Sequence, residues 1–327
     1  MDDQRGTLEY VAGLAGIENP SYVTWDPKFR RLYAVQETVQ DPGVADLLVS
    51  DAGQMALGNL RPVSGAEPCF ILVNHRPQPS LVVANYGGGS LDWYWLSSEG
   101  SLARRGQSLA HEGRGPHPVR QAAPHPHHAA WDPQGMMLWV SDLGSDAVVA
   151  YRATSAYLPL VRAFSVALRP GSGPRMLAFH PRAPYFYVAG ELDSTVAVYR
   201  YALSPTPSAI AEGVWPTLPD GAARDGNTAA HVALHPALSW LYVSNRGDDS
   251  IAVFQLDGEG RIQTRLAVVK TRARTPRHFA LTPDGRWLIV AGQGANCLEV
   301  MAVGADGVPR GLGSLFSLER PSCVALG

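Results

Sequence analysis

The chain has 327 residues, a length that leaves open one large domain or two ordinary ones. It is 46% apolar and 17% charged with 33 glycines and 26 prolines, a globular composition too rich in turn formers for a helical protein. A formal net charge of −2 without long runs of one sign argues against nucleic acid or an anionic membrane as partner and in favour of a small molecule.

The start, MDDQRGTLEY, lacks a basic segment followed by an apolar one, and no apolar run approaches the roughly 18 residues of a membrane span. A soluble, cytoplasmic protein is expected, a monomer or weak homo-oligomer. Cys69, Cys297 and Cys323 lie far apart in apolar surroundings and form no C-x-x-C pair, so they read as buried thiols rather than as a disulfide framework or zinc site.

Self-similarity organises the rest. PSYVTWDPKFRRLYAVQE, PCFILVNHRPQPSLVVANYGGGSLDWYWL, PHHAAWDPQGMMLWVSDLGSDAVVAYR, PRMLAFHPRAPYFYVAGELDSTVAVYRY, AAHVALHPALSWLYVSNRGDDSIAVFQL and PRHFALTPDGRWLIVAGQGANCLEVMAV follow one pattern. Each has an apolar run, a Pro/Asp/Gly turn, a second run, a polar loop and a third, alternating run. The turn recurs at Pro27, Arg76, Pro133, Pro181, Pro236 and Pro283, a period of about 50 residues, as in propeller blades rather than helical arrays. The pattern predicts strand, hairpin, strand, loop, strand, with room for a fourth strand, for instance around residues 265–270. The fold expected is all-β: one domain over residues 1–327, a seven-bladed β-propeller of four-stranded antiparallel blades.

PSCVALG at 321–327 matches the opening of a blade, so the chain stops inside a seventh repeat. The strands completing it are expected from the segment before Pro20, which would remove an open sheet edge. TLEYVAGLAG offers one or two strands, so a seventh blade closed by both termini is expected to be incomplete.

Alternating strand directions place two positions of each blade on one rim. The first reads Ser21, Cys69 or Phe70, His127, Arg175, Ala230, Arg277 and Ser322. The second reads Gln36-Glu37, Asn85-Tyr86, Asp142-Leu143, Gly190-Glu191, Asn245-Arg246 and Gly292-Gln293. Two arginines, a histidine and two glutamates at one mouth suit an anionic, oxygen-rich small molecule, because guanidinium holds carboxylate or phosphate and His or Glu moves protons near neutral pH. Substrate contacts are expected from Glu37, Gln121, His125, Asp142, Asn245 and Gln293. For any one of these alone, capping a strand end is the plainer reading.

HEGRGPHPVRQAAPHPHH, from His111 to His128, holds five histidines in a Pro-rich loop but no metal-ligand spacing, so no metal is expected. No G-x-S-x-G elbow, P-loop or dinucleotide fingerprint occurs, which argues against a serine hydrolase, nucleotidase or dehydrogenase, and no cofactor is expected.

RQAAPHPHHAAWDP, VSDLGSD, GSGPRMLAFHP, GELDSTVAVY and TPRHFALTPDGRWLIVAGQ, in that order, resemble the seven-bladed lactonase family typified by bacterial 6-phosphogluconolactonase. The resemblance runs from about Asn19 to Cys323. The same family includes fungal carboxy-cis,cis-muconate cyclase, so it implies lactone chemistry more firmly than one substrate. It implies catalytic roles for the second His of P-H-x-H, the Arg of G-P-R, the Glu of N-E-L and the Arg of the later P-R motif, which are His127, Arg175, Glu191 and Arg277. The usual Asn before the Glu is Gly190 here, and the N-terminal strand that commonly opens the family is missing or shortened. The reaction implied is metal-free hydrolysis of a sugar-acid lactone, such as 6-phosphogluconolactone. The rivals are a muconate-type cyclase or another lactonase, a calcium-dependent one included, and a non-catalytic propeller platform.

Overall fold

Among the described residues, apolar runs bounded by Pro, Gly and Asp fold into twenty-four strands grouped as six four-stranded antiparallel sheets. The computed structural model describes residues 1–2, 4–75, 78–153, 159–237 and 239–327; the turn expected at Arg76 lies outside the described residues. Blade 1 comprises β1 to β4 (Val23–Asp26, Arg31–Gln36, Gly43–Val49, Met55–Pro62) and blade 2 comprises β5 to β8 (Pro68–Asn74, Ser80–Asn85, Ser90–Leu96, Leu102–Ala110). Blade 3 has β9 to β12 (Pro126–Trp131, Met137–Asp142, Ala147–Ala153, Leu160–Ala167) and blade 4 has β13 to β16 (Pro174–Phe179, Tyr185–Gly190, Thr195–Ala202, Ser208–Pro216). Blades 5 and 6 are β17 to β20 (Thr228–Leu234, Trp240–Arg246, Ser250–Leu256, Ile262–Lys270) and β21 to β24 (Pro276–Leu281, Trp287–Gly292, Cys297–Val303, Pro309–Ser317). Every blade is an up-and-down sheet in chain order.

The chain divides into two compact units of three blades each. One holds Tyr10–Gly171 with Gly327, the other Met1–Glu9 with Ser172–Leu326. Within each unit a blade packs mainly on its neighbours in sequence, as repeat architecture dictates.

Within a blade, burial falls from the second strand outward. β6, β10 and β14 are buried at every position, while β4, β8 and β16 are largely exposed. That gradient explains why the second run of each repeat is apolar on both faces and the fourth is hard to recognise. Neighbouring blades are also stapled by a recurring tyrosine. Tyr33 donates its hydroxyl to the Gly100 carbonyl at 2.7 Å, Tyr242 donates to Gly307 at 2.7 Å, and Tyr187 does the same to Gly260. Each acceptor lies in the turn between the third and fourth strands of the next blade.

The seventh blade differs from expectation. Among the described residues, 8–22 and 321–327 belong to no strand, and the one pairing near the N-terminus is an isolated bridge between Asp2 and Thr7. TLEYVAGLAG leaves Tyr10 and Val11 more than 60% exposed and reaches Gly16 at φ +100°, so a strand there would gain no burial. In the C-terminal segment, the Val324 N–H goes to a histidine side chain rather than to a strand partner. Cys69 and Cys297 are buried as expected, whereas Cys323 is half-buried. Among the described residues, no helix is long and apolar enough to cross a membrane.

Burial raises the hydroxyl pKa of Tyr33, Tyr187 and Tyr242 well above the ordinary tyrosine value. The fold therefore keeps protons that the unfolded chain releases, and stability should fall as pH rises above about 10. Tyr242→Phe leaves the Gly307 carbonyl without its donor and should lower the unfolding free energy by about 1–3 kcal/mol, read as a lower denaturant midpoint at unchanged slope.

Candidate active site

In blades 2 to 6, though not at Ser21 or Ser322, the positions first singled out on the rim share one backbone device. In β5, Pro68 pairs with Asn85 and Phe70 with Ala84, so Cys69 is an extra residue without a partner. The same one-residue bulge falls at His127 in β9, Arg175 in β13 and Arg277 in β21, while in β17 it falls between Ala229 and Val232. A bulge turns its residue out of the alternation of the strand, which is how a strand aims a side chain at a ligand. Proline precedes it in four of the five blades, where the missing N–H costs no ladder bond. Before Arg277 the backbone is strained as well. Thr275, a β-branched residue, sits at φ +56°, held by its N–H to Asp249 Oδ1 at 2.8 Å and by Gln293 N donating to its carbonyl at 3.2 Å.

In the C-terminal unit, Arg175 Nε lies 3.0 Å from Glu191 Oε2, and its Nη1 donates to the Ala230 carbonyl at 2.7 Å. Arg246, at the end of β18, brings Nη2 to 2.7 Å from the same carboxylate oxygen and 3.4 Å from the Ala229 carbonyl. The bulge in β17 interrupts the ladder and frees two successive carbonyls, one for each guanidinium. Arg277 is half-buried and, among the described residues, makes no hydrogen bond or ion pair.

Beside these groups, burial and then the charges of Arg175 and Arg277 push the His278 pKa down to about 3. Its ring packs on His231 at 3.9 Å between centroids, and its Nδ1 accepts from Val324 N at 3.3 Å. Three guanidiniums against one carboxylate leave net positive charge next to an imidazole that stays neutral. That is an arrangement for binding an anion and for stabilising an oxyanion.

In the N-terminal unit, His125 donates from Nδ1 to the Tyr86 carbonyl at 2.8 Å, which fixes the tautomer and leaves Nε2 as the acceptor. Its ring lies on Tyr86 at 4.3 Å and 15°, and Arg120 Nε donates to the Tyr86 hydroxyl at 3.3 Å. His127 meets Tyr86 edge-on at 5.8 Å. A ring layer supports this group: Tyr22 packs on Phe70 at 4.7 Å and Phe70 on His128 at 4.2 Å, each pair contributing about 0.5–1.5 kcal/mol beyond burial. The corresponding layer of the other unit is Met176, His231 and His278.

With this geometry in place, comparison with known proteins is informative. The sequence pattern of the family described as "Lactonase, 7-bladed beta-propeller" matches residues 1–326. The chain belongs to this lactonase family. It is 31% identical over 259 residues to the 6-phosphogluconolactonase of Bacillus subtilis, covering 79% of this chain and 72% of that protein. It is 28% identical over 269 residues to the 6-phosphogluconolactonase of Formosa agariphila, covering 79% and 73%. Among solved structures, the periplasmic gluconolactonase of Pseudomonas aeruginosa superposes with a TM-score of 0.89 at 28% identity, over 98% of this chain and 92% of that one. The family description has seven blades; the described residues form six sheets.

Within this lactonase, the residues expected at the site divide into two groups. Arg175 and Glu191 are in contact, Arg277 acts on the same His278, Gln293 is half-buried with a side-chain amide that makes no hydrogen bond among the described residues, and His125 and His127 share Tyr86. Asp142, Gln121 and Asn245, expected to touch substrate, are fully buried with their polar atoms engaged. Asp142 pairs with His111 at 2.8 Å and accepts the His125, Gly144 and Ser145 N–H groups at 2.8–3.1 Å. Gln121 accepts from His117 N and donates to the Leu143 carbonyl. Asn245 bonds Thr217 and Ser250. These three shape the loops that carry the site. Glu37 is half-buried and its backbone bonds Asn19.

The departure from family pattern at Gly190 has a local cause. A Cβ there would lie 2.4 Å from Asp193 Oδ1, which accepts from Thr195 Oγ1 at 2.7 Å, so a side chain before Glu191 would displace Asp193. Sequence reading put Arg246 on the rim without giving it a role and passed over His231 and His278. The signal for both histidines was their place one residue after the bulge, where Phe70 and His128 stand in other blades.

The depressed pKa of His278 carries a stability sign. The unfolded chain takes up a proton below about 6.5 that the folded site refuses, so this residue's contribution is present above that pH and is lost as pH falls toward 3. Its ring resonances should stay flat through pH 5–8 in an NMR titration, and His278→Gln should lower the pH of acid unfolding, provided the fold is retained.

Proposed function

We propose that this chain hydrolyses the lactone of a sugar acid, with 6-phosphogluconolactone as the favoured substrate. The observation that carries the reading is Arg277: a half-buried guanidinium without an ion-pair partner among the described residues, beside an Arg175–Glu191–Arg246 cluster whose charge is already partly compensated. A half-buried guanidinium not spent on a carboxylate of its own chain is suited to an anionic ligand, which it can hold by charge-assisted hydrogen bonds. The names of the Bacillus and Formosa relatives support the same substrate class.

In the proposed reaction a base takes a proton from water and the oxygen attacks the lactone carbonyl. The carbonyl oxygen becomes an oxyanion, and collapse breaks the ring C–O bond. The leaving alkoxide takes a proton, giving the open hydroxy acid. Arginine charge stabilises the oxyanion or grips the ligand's acidic group, and the route needs no metal. His127 and Glu191 are the two candidate bases. General-base help is worth roughly 10²–10⁴ in rate and a placed oxyanion donor roughly 10²–10³. A second reading, an unphosphorylated gluconolactone, is favoured by the Pseudomonas structure, named a gluconolactonase.

The test follows hydrolysis of freshly prepared 6-phosphogluconolactone, gluconolactone and muconolactone, each with and without chelator. Arg175→Ala, Glu191→Gln and His127→Ala should each lower kcat/KM by roughly 10²-fold or more with the fold intact. Arg277→Gln should raise KM more for the phosphorylated lactone than for gluconolactone. Wild-type rates in the first three variants would sink the residue assignment, and loss of activity with chelator would sink the metal-free route.

A further inference from the structure

Blade 5 departs from its neighbours at the position that carries their chemistry. Blades 4 and 6 place Arg175 and Arg277 at the bulge, whereas blade 5 has Ala230 at the corresponding place, a methyl group. Its cation comes instead from the end of the second strand. Arg246 reaches Glu191 Oε2 at 2.7 Å, closer than Arg175 at 3.0 Å, and the same nitrogen lies 3.4 Å from the Ala229 carbonyl.

The Glu191 side chain is 3% exposed, so its charge depends on its partners rather than on water. Arg175 reaches it from β13 and Arg246 from β18, and each guanidinium is braced by a separate carbonyl of β17. Both guanidiniums meet the same oxygen, Oε2, from two different elements, and so pin that atom from two sides. The second cation also favours the ionised form. His278 on β21 contributes no competing titration in this range, because it stays neutral down to about pH 3.

We propose that Arg246 is a positioning residue for lactone hydrolysis, which holds the Glu191 carboxylate ionised and oriented between itself and Arg175. This rests on the reading that Glu191 serves the reaction. It assigns Arg246 a role different from Arg277: the former acts through Glu191, the latter meets the ligand's anionic group.

The experiment compares pH profiles of kcat/KM for wild type, Arg246→Gln and Arg246→Lys, together with unfolding midpoints of Arg246→Gln, Glu191→Gln and the double variant. Arg246→Gln should lower kcat about 10- to 100-fold with KM within about threefold, and move the acidic limb up by about one pH unit, because Glu191 loses a cation that favours its charge. Arg246→Lys should restore part of both effects. An unchanged kcat, or a lower midpoint with an unmoved pH profile, would overturn the proposal and leave Arg246 a clamp on β17. If the wild-type protein hydrolyses no lactone, the functional reading itself fails. Non-additive unfolding midpoints would then still support the hold of Arg246 on Glu191, and additive ones would overturn it.

Discussion

One extra residue at the start of a strand is the constraint on which the rest depends. Antiparallel pairing makes side chains alternate strictly, so a regular first strand would direct its residues at the two faces of the blade and none at its tip. Inserting Cys69, His127, Arg175 or Arg277 without a partner breaks the alternation once, and the strand then resumes its buried register. The proline before it and the left-handed Thr275 set the angle at which the chain arrives. The blade core, held by buried second strands and by tyrosine staples to neighbouring turns, absorbs that local cost.

The Arg175–Glu191–Arg246 cluster is poor evidence for stability, since apolar residues of similar volume often serve a fold as well as a buried ion pair does. Its arrangement is informative for another reason. Both guanidiniums are tied to backbone carbonyls of β17, Arg175 from the neighbouring blade and Arg246 from the adjacent strand of the same blade, so main-chain geometry helps to set the carboxylate orientation. Preorganisation of this kind is what an active site needs, because a donor already in place does not have to reorganise as charge develops.

Much of this was legible in the sequence. The turn spacing marked the strands and put Cys69, His127, Arg175 and Arg277 on the rim; each of these follows a proline, a local signal, but the bulge itself was not read from it. The fourth strands were hard to see because their exposed faces carry little apolar pattern; β20 starts at Ile262, earlier than residues 265–270 suggest. Asp142, Gln121 and Asn245, expected at the ligand, are buried against their own loops, which the sequence does not display. A polar residue at a strand end reads the same whether it faces a ligand or folds back on its own loop, and only the hydrogen-bond count separates the two. Arg246 was visible on the rim, but its grip on Glu191 spans two blades and has no sequence signature. The seventh blade was inferred from the match of PSCVALG to a strand opening; among the described residues 321–327 form no strand, and the Val324 N–H goes to a histidine side chain.

Ala230 shows what the repeated bulge makes possible. In the C-terminal unit three consecutive blades present the same backbone slot, filled by arginine, alanine and arginine. Because the slot is defined by main-chain pairing, its occupant can change without renegotiating the core, much as type can be exchanged in a fixed frame. The alanine is the blank character of that frame. New substrate preference in such a scaffold can arise there by single replacements, each tried against a charge pattern that the neighbouring blades already hold in place.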